Sequence, residues 1–164
     1  MELEGRKNIF KYVEIGANIT LVKSETNYIR SRFNLVNGIK EYVPVDTLSR
    51  AMYGQAPYIV NAIVSYKNDS IGFVATLSFN VQGPRLVIAS DNPAIPDVYE
   101  MPRNLFDIKL SQRLSKHFMV SFLVRDVLNT AVRRAYKYPE GYNKYNYDKY
   151  KYGTTYNVSF GYRL

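Results

Sequence analysis

Hydrophobic residues recur at every second position through several stretches of this chain, with polar or small residues between them. The last stretch is the clearest: Tyr152, Thr154, Tyr156, Val158, Phe160, Tyr162 and Leu164 alternate with Gly153, Thr155, Asn157, Ser159, Gly161 and Arg163. Alternation of this kind sends the two sets to opposite faces of a β-strand. From Ile71 to Gln82 the apolar set is Ile71, Phe73, Ala75, Leu77, Phe79 and Val81, opposed by Gly72, Thr76, Ser78, Asn80 and Gln82. Val13, Ile15, Ala17, Ile19 and Leu21 repeat the pattern, as do Phe106, Ile108 and Leu110, and Phe118, Val120, Phe122 and Val124. Tyr58, Val60, Ala62, Val64 and Tyr66 follow it with Ile59 and Ile63 as exceptions. With a first strand near Glu2 to Phe10, the count is about seven, most of them near the roughly 9–11 residues of a membrane-crossing β-strand.

The connections alternate in length. Short ones lie near Lys11, at Lys67-Asn68-Asp69-Ser70 and around Ser115-Lys116; long ones run from about Lys23 to Pro57, Gly83 to Arg103 and Thr130 to Tyr150. Short turns on one side and long loops on the other are the arrangement of bacterial outer-membrane barrels. A C-terminal strand ending at the periplasm would make the long connections extracellular. The first of them is expected to hold a short helix, with Asp46 as N-cap and Gly54 just past its end.

Alternation alone does not say which face is buried, and composition helps decide. Tyr is the dominant aromatic, with 16 Tyr against 8 Phe and no Trp. It sits at the ends of apolar sets, as with Tyr58 and Tyr66, where a ring needs one apolar and one wet side. The opposite set carries whole charges, including Glu14, Asp107, Lys109 and Arg125. Those would wreck a small soluble core but suit a wide polar lumen. The expected fold is therefore all-β, an antiparallel transmembrane β-barrel segment of about seven strands with apolar residues toward lipid. Two open edges and a greasy face would aggregate in water, so the incomplete barrel needs further strands. No apolar run approaches the roughly 20 residues of a membrane helix.

The net charge of +8 suits nucleic acid, acidic lipid or lipopolysaccharide phosphates alike. A soluble nucleic-acid-binding barrel would need aromatics beside basic residues on one exposed sheet face. Here the basic residues concentrate in loops, which argues against a nucleic-acid partner. The absence of Cys removes disulfides, thiolate chemistry and Cys-ligated zinc, and one histidine, His117, makes no metal site by itself. The opening Met1-Glu2-Leu3-Glu4 is not a signal peptide. An outer-membrane protein must be exported, so the chain is expected to be a mature form or a piece of something longer.

Four passages resemble the C-terminal barrel of TonB-dependent outer-membrane receptors, especially the Bacteroidetes-type outer-membrane β-barrel family. Glu2-Leu3-Glu4-Gly5-Arg6-Lys7-Asn8 resembles that family's ELEARKN strand. Arg50-Ala51-Met52-Tyr53-Gly54-Gln55-Ala56-Pro57-Tyr58-Ile59-Val60-Asn61 is similar to its R-x-x-x-GQ-[SA]-PY-x-x-N passage. Pro96-Asp97-Val98-Tyr99-Glu100-Met101-Pro102-Arg103-Asn104, with Asp107 beyond, resembles PD-x-YE-x-PRN-x-x-D, and Asp126-Val127-Leu128-Asn129 resembles DLLN. The motifs stand in family order over residues 1–164, which the resemblance makes the C-terminal part of a barrel domain whose plug and earlier strands are absent. It implies a large barrel, commonly of 22 strands, that imports metal chelates or glycans with energy from an inner-membrane complex. Implied partners are outer-membrane lipid and lipopolysaccharide, the barrel-assembly machinery, and the parent's remaining strands and plug. A small standalone outer-membrane barrel with a structural or adhesive role is the alternative. The family usually ends in Phe where this chain has Leu164.

Two segments are candidate sites. Gly153, Tyr156, Val158, Phe160, Tyr162 and Leu164 resemble the terminal-strand signal read by the insertion machinery, a segment recognisable by strand addition; an ordinary lipid-facing strand gives the same pattern. Tyr136, Tyr138, Tyr142, Tyr145, Tyr147 and Tyr150 lie among Arg133, Arg134, Lys137, Lys144 and Lys149. Such rings and cations would take sugars or acidic chelates, or form an aromatic girdle with basic contacts to lipopolysaccharide. Asp97 and Glu100 are expected to order their loop and Asp107 to face the lumen. No spacing selects an acid–base pair, and no nucleophile, phosphate-loop or metal motif is present. Neither a catalytic role nor a cofactor is expected.

Overall fold

The computed structural model describes residues 1–92 and 94–162 and consists of strands and connections; among the described residues there is no helix. Two strands, β1 (Glu2–Phe10) and β2 (Val13–Leu21), form the first hairpin. The first long connection is itself a hairpin of β3 (Glu25–Val36) and β4 (Ile39–Ala51). Next come β5 (Tyr58–Asn68) and β6 (Phe73–Gln82), then β7 (Arg85–Ile88) and β8 (Val98–Glu100) in the second long connection. After β9 (Leu105–Arg113) and β10 (Phe118–Arg125), the third holds β11 (Val132–Tyr138), β12 (Gly141–Tyr142) and β13 (Asp148–Tyr150), and β14 (Thr155–Tyr162) follows.

The expected sheet is present. Seven strands pair antiparallel in the order β1-β2-β5-β6-β9-β10-β14, with short turns at one end and all three long connections at the other. It is open: β1 and β14 are its edges, and among the described residues the sheet does not close into a barrel. The last strand begins at Thr155 rather than at Tyr152, because Gly153 takes φ +88° and the Thr154 hydroxyl turns to donate to the Asp126 carbonyl at 3.0 Å. Ile71 lies in the β5–β6 turn and not in β6.

The helix expected after Asp46 does not form; Ile39–Ala51 is strand β4. Asn37 and Gly38 both adopt positive φ, 54° and 80°, as a two-residue hairpin turn of matching twist requires. That turn commits the flanking residues to pairing, from Val36↔Ile39 out to Glu25↔Ala51. The register slips between Arg30 and Ser31, next to Pro44 on the partner strand. Proline has no N–H for the ladder, and a bulge accommodates it.

Apolar side chains align across the large sheet. One cross-strand row reads Lys7, Ile15, Val64, Leu77, Ile108, Val124 and Tyr156, and the next reads Val13, Tyr66, Ala75, Leu110, Phe122 and Val158. The other face carries rows such as Asn8, Glu14, Ser65, Thr76, Lys109, Leu123 and Asn157. Asparagines run across it as a ladder, Asn80 donating to Asn61 at 2.6 Å, Asn61 to Asn18 at 2.9 Å and Asn18 to Glu2 at 2.6 Å.

The apolar core lies away from this sheet. Among the described residues, Ala56, Leu86, Val98, Tyr99, Val132 and Ala135 are its buried apolar members, all in the long connections. They pack in and around a second sheet, ordered β12-β11-β8-β7 with β13 also on β11.

Candidate functional site

The apolar face of the large sheet is uncovered. In β2 the usual soluble pattern is inverted: Ile15, Ala17 and Ile19 are exposed, whereas Glu14, Asn18 and Thr20 are half-buried and Gly16 is buried. Val64 and Leu77, neighbours in one row, are exposed at 40% and 41%. Large exposed apolar surfaces of this kind occur at protein–protein contacts, ligand grooves and membrane contacts. Aromatic rings gather at its short-turn border, with Tyr66 at 5.9 Å from Tyr12 and 6.2 Å from Phe73, and Phe118 at 5.0 Å from Tyr162.

Of the candidate assembly residues, Tyr156, Val158, Phe160 and Tyr162 lie on this face in β14 and are exposed, Phe160 to 82%. Gly153 precedes the strand, and Leu164 lies outside the described residues. Only one side of β14 is paired, to β10, so the other presents an unpaired edge.

The passages singled out by motif meet in pairs at the long-connection end. Arg50 donates from Nη1 to Asp97 Oδ1 at 3.3 Å, and Asp97 also accepts the Ser90 N–H at 2.8 Å. Both members are largely buried. Glu100 pairs with Arg85 at 2.8 Å and lies 3.7 Å from Arg134, which pairs with Asp148 at 3.1 Å. Burial disfavours the Arg134 charge, but Asp148, Tyr150 and Glu100 together outweigh it and hold the guanidinium above its ordinary pKa. Asp97 and Glu100 thus tie their loop to its neighbours, as expected.

Asp126 joins two other passages. It takes φ +51°, gives its N–H to Asp107 at 2.9 Å, accepts the Thr130 N–H at 3.2 Å and meets Arg103 at 3.4 Å. Short polar side chains tolerate the left-handed region and satisfy nearby backbone donors, which fits this residue to the corner. Asp107 lies on the polar face, in register with Ser78.

The tyrosine-rich segment is divided by the fold. Tyr136 stacks edge-on with Tyr147 at 5.5 Å and lies 6.4 Å from Tyr138, while Tyr145 stands 81% exposed and apart. Tyr142 instead turns to Tyr99, ring centres 5.6 Å apart, and lines a cleft of about 330 Å³. This cleft is shared by all three long connections: Lys23, Ser24, Glu25, Ser49, Arg50 and Gln55 among those from the first, Pro84 and Tyr99 from the second, Lys137 and Tyr142 from the third. Ser24 hydrogen bonds to Gln55 across its rim. Lys137 Nζ hangs 5.1 Å from the Tyr99 ring centre, and the Arg50 guanidinium covers Tyr28 at 3.8 Å. Burial, with Asp97 nearby, pushes the Tyr99 phenol up to about 12. Sequence reasoning had pointed to Tyr142 and Lys137 but not to Tyr99 or Arg50.

Among the described residues, no cluster of His and carboxylate side chains would hold a metal ion. Comparison of the chain with protein-family models, with curated proteins and with solved structures finds no match.

Proposed function

We propose that the chain is the C-terminal barrel portion of a TonB-dependent outer-membrane receptor, contributing to uptake of a metal chelate or a glycan across a bacterial outer membrane. The observation that carries this reading is the exposed apolar face of the large sheet, with the inversion clearest in β2, where Ile15, Ala17 and Ile19 are exposed and Glu14, Asn18 and Thr20 are sheltered. Lipid is the solvent in which such a face costs nothing. Further support comes from the separation of short turns from long connections, and from the meeting of the motif passages at Arg50–Asp97 and Arg103–Asp126. The free edges of β1 and β14 would pair with the parent's remaining strands, its plug would face the asparagine ladder, and the assembly machinery would read β14. Exposed lysines of the long connections would meet lipopolysaccharide.

The test is refolding from denaturant into plain buffer or into detergent micelles, followed by circular dichroism and light scattering. Monodisperse β-structure is expected only with detergent; a folded monomer in plain buffer overturns the membrane reading. Refolding beside the upstream part of the parent protein should give a heat-modifiable barrel that neither part gives alone. Such a barrel from this chain alone would favour a small standalone barrel instead.

A further inference from the structure

The cleft between the base of the β3–β4 hairpin and the small sheet is lined by two donor residues, one buried and one exposed, whose side chains have no hydrogen-bond or ion-pair acceptor among the described residues. Tyr99 is 4% exposed, and among the described residues nothing hydrogen bonds to its hydroxyl. A buried phenol normally finds a partner. This hydroxyl is also not among the fully enclosed polar atoms without partners, and Tyr99 is one of the residues that line the cleft. Lys137 is the second group. Its ammonium lies over the Tyr99 ring, and among the described residues no carboxylate is within ion-pair distance of it. The other lining cations are already engaged, Arg50 with Asp97 and Lys23 at 3.4 Å with Glu25, the one carboxylate that lines the cleft among the described residues.

A phenol O–H and an ammonium on two residues that line one cleft, the ammonium 5.1 Å from the centre of the phenol's ring, are two donors open to an anionic acceptor, and charge-assisted bonds to such an acceptor are the strong ones. Around them the cleft supplies the half-exposed ring of Tyr142 and a rim of Ser24, Ser49 and Gln55. A ring beside several hydroxyl and amide groups suits a ligand with one apolar face and many hydroxyls. The volume, about 330 Å³, is at the small end of ligand sites. We propose that this cleft binds an acidic sugar, its carboxylate shared by Lys137 Nζ and the Tyr99 hydroxyl and its apolar face against Tyr142. A bare anion would leave the ring and rim unused; a neutral sugar would leave the two donors unmet. As a nutrient site the assignment rests on the receptor reading above, but binding itself is measurable without it.

The experiment is isothermal titration of the full chain, in whichever medium retains its strand content, with digalacturonate, its neutral galactose counterpart, salicylate and inorganic phosphate as probes. Digalacturonate should bind best, and the neutral disaccharide about tenfold or more weaker, the worth of one charge-assisted bond. Tyr99→Phe keeps the packed ring and removes only the hydroxyl, and should weaken digalacturonate about tenfold. Lys137→Met should erase the preference for the acid, and Lys137→Arg should restore it. Equal binding of the neutral sugar, tighter binding of phosphate or salicylate, or indifference to both substitutions overturns the proposal. Acid binding by a chain folded in plain buffer sustains the cleft and sinks the membrane reading; folding only in detergent without acid binding does the reverse.

Discussion

Replacing Leu77 with arginine separates the two faces of the large sheet most sharply. Leu77 sits midway along β6, the fourth strand of seven, with Val64 and Ile108 beside it in its row. Ser78 is one residue on, between Ile63 and Asp107 on the opposite face. If the apolar face meets lipid, Leu77→Arg places a charge near the bilayer midplane, at a cost of roughly 2–4 kcal/mol. Ser78→Arg keeps its charge on the polar side, where Asp107 opposite returns about 0.2–1 kcal/mol. Equilibria for the two variants should therefore differ by about 2.2–5 kcal/mol, or roughly 40- to 4,000-fold. The assay is denaturant unfolding of the complete barrel in phospholipid vesicles, scored by heat-modifiable mobility. Equal damage from the two substitutions, or greater damage from Ser78→Arg, would refute the assignment of faces.

Three further outcomes test the packing of the connections. Asp126→Ala strips the carboxylate from the Thr130 N–H and from Arg103 while keeping the backbone N–H that Asp107 accepts; a loss of about 1–3 kcal/mol is expected in a denaturant titration, and an unchanged midpoint would remove Asp126 from the account. Gly72 has φ +66° and an added Cβ would lie 2.8 Å from Arg113 Cβ, so Gly72→Ala should cost about 1–3 kcal/mol and lower the melting temperature, whereas Gly5→Ala, with open space around it, should be mild. Tyr99 ionises near 10 when unfolded and at about 12 when folded. Its stabilising contribution is whole below pH 10 and is lost as pH rises toward 12. Wild type should therefore lose more stability than Tyr99→Phe over that window, and identical pH profiles would contradict the buried environment of the phenol.

The large sheet was legible because its strands alternate and its short turns are marked by polar residues. The contents of the long connections were less so. The hairpin signal Asn37-Gly38 stood in the sequence, but the reading of Asp46 as a helix cap passed over the alternation that follows the turn. Leu86, Val98, Tyr99, Val132 and Ala135 lie on short strands from two separate connections, so no local period marks them as a core. Burial of Tyr99 arises from tertiary packing, which residue type alone does not reveal. Tyr142 and Lys137 were visible as a local mixture of rings and cations. The fold then separated them from Tyr136, Tyr138, Tyr145 and Tyr147, because the β11–β12 turn carries Tyr142 back beside Lys137. Arg50 and Asp97 were quoted within separate motifs, and only the fold shows that they touch.

The central claim is that the apolar face of the seven-stranded sheet contacts lipid chains, and the lack of Trp in the protein makes this directly measurable. Single tryptophans placed at Phe122, on the apolar face, and at Ser121, on the polar face beside Ser111 at 2.9 Å, report the two environments from adjacent positions. In vesicles of lipids brominated along the acyl chains, Phe122→Trp emission should be strongly quenched and Ser121→Trp emission little changed. Equal quenching at the two positions, or quenching at Ser121 alone, would contradict the account.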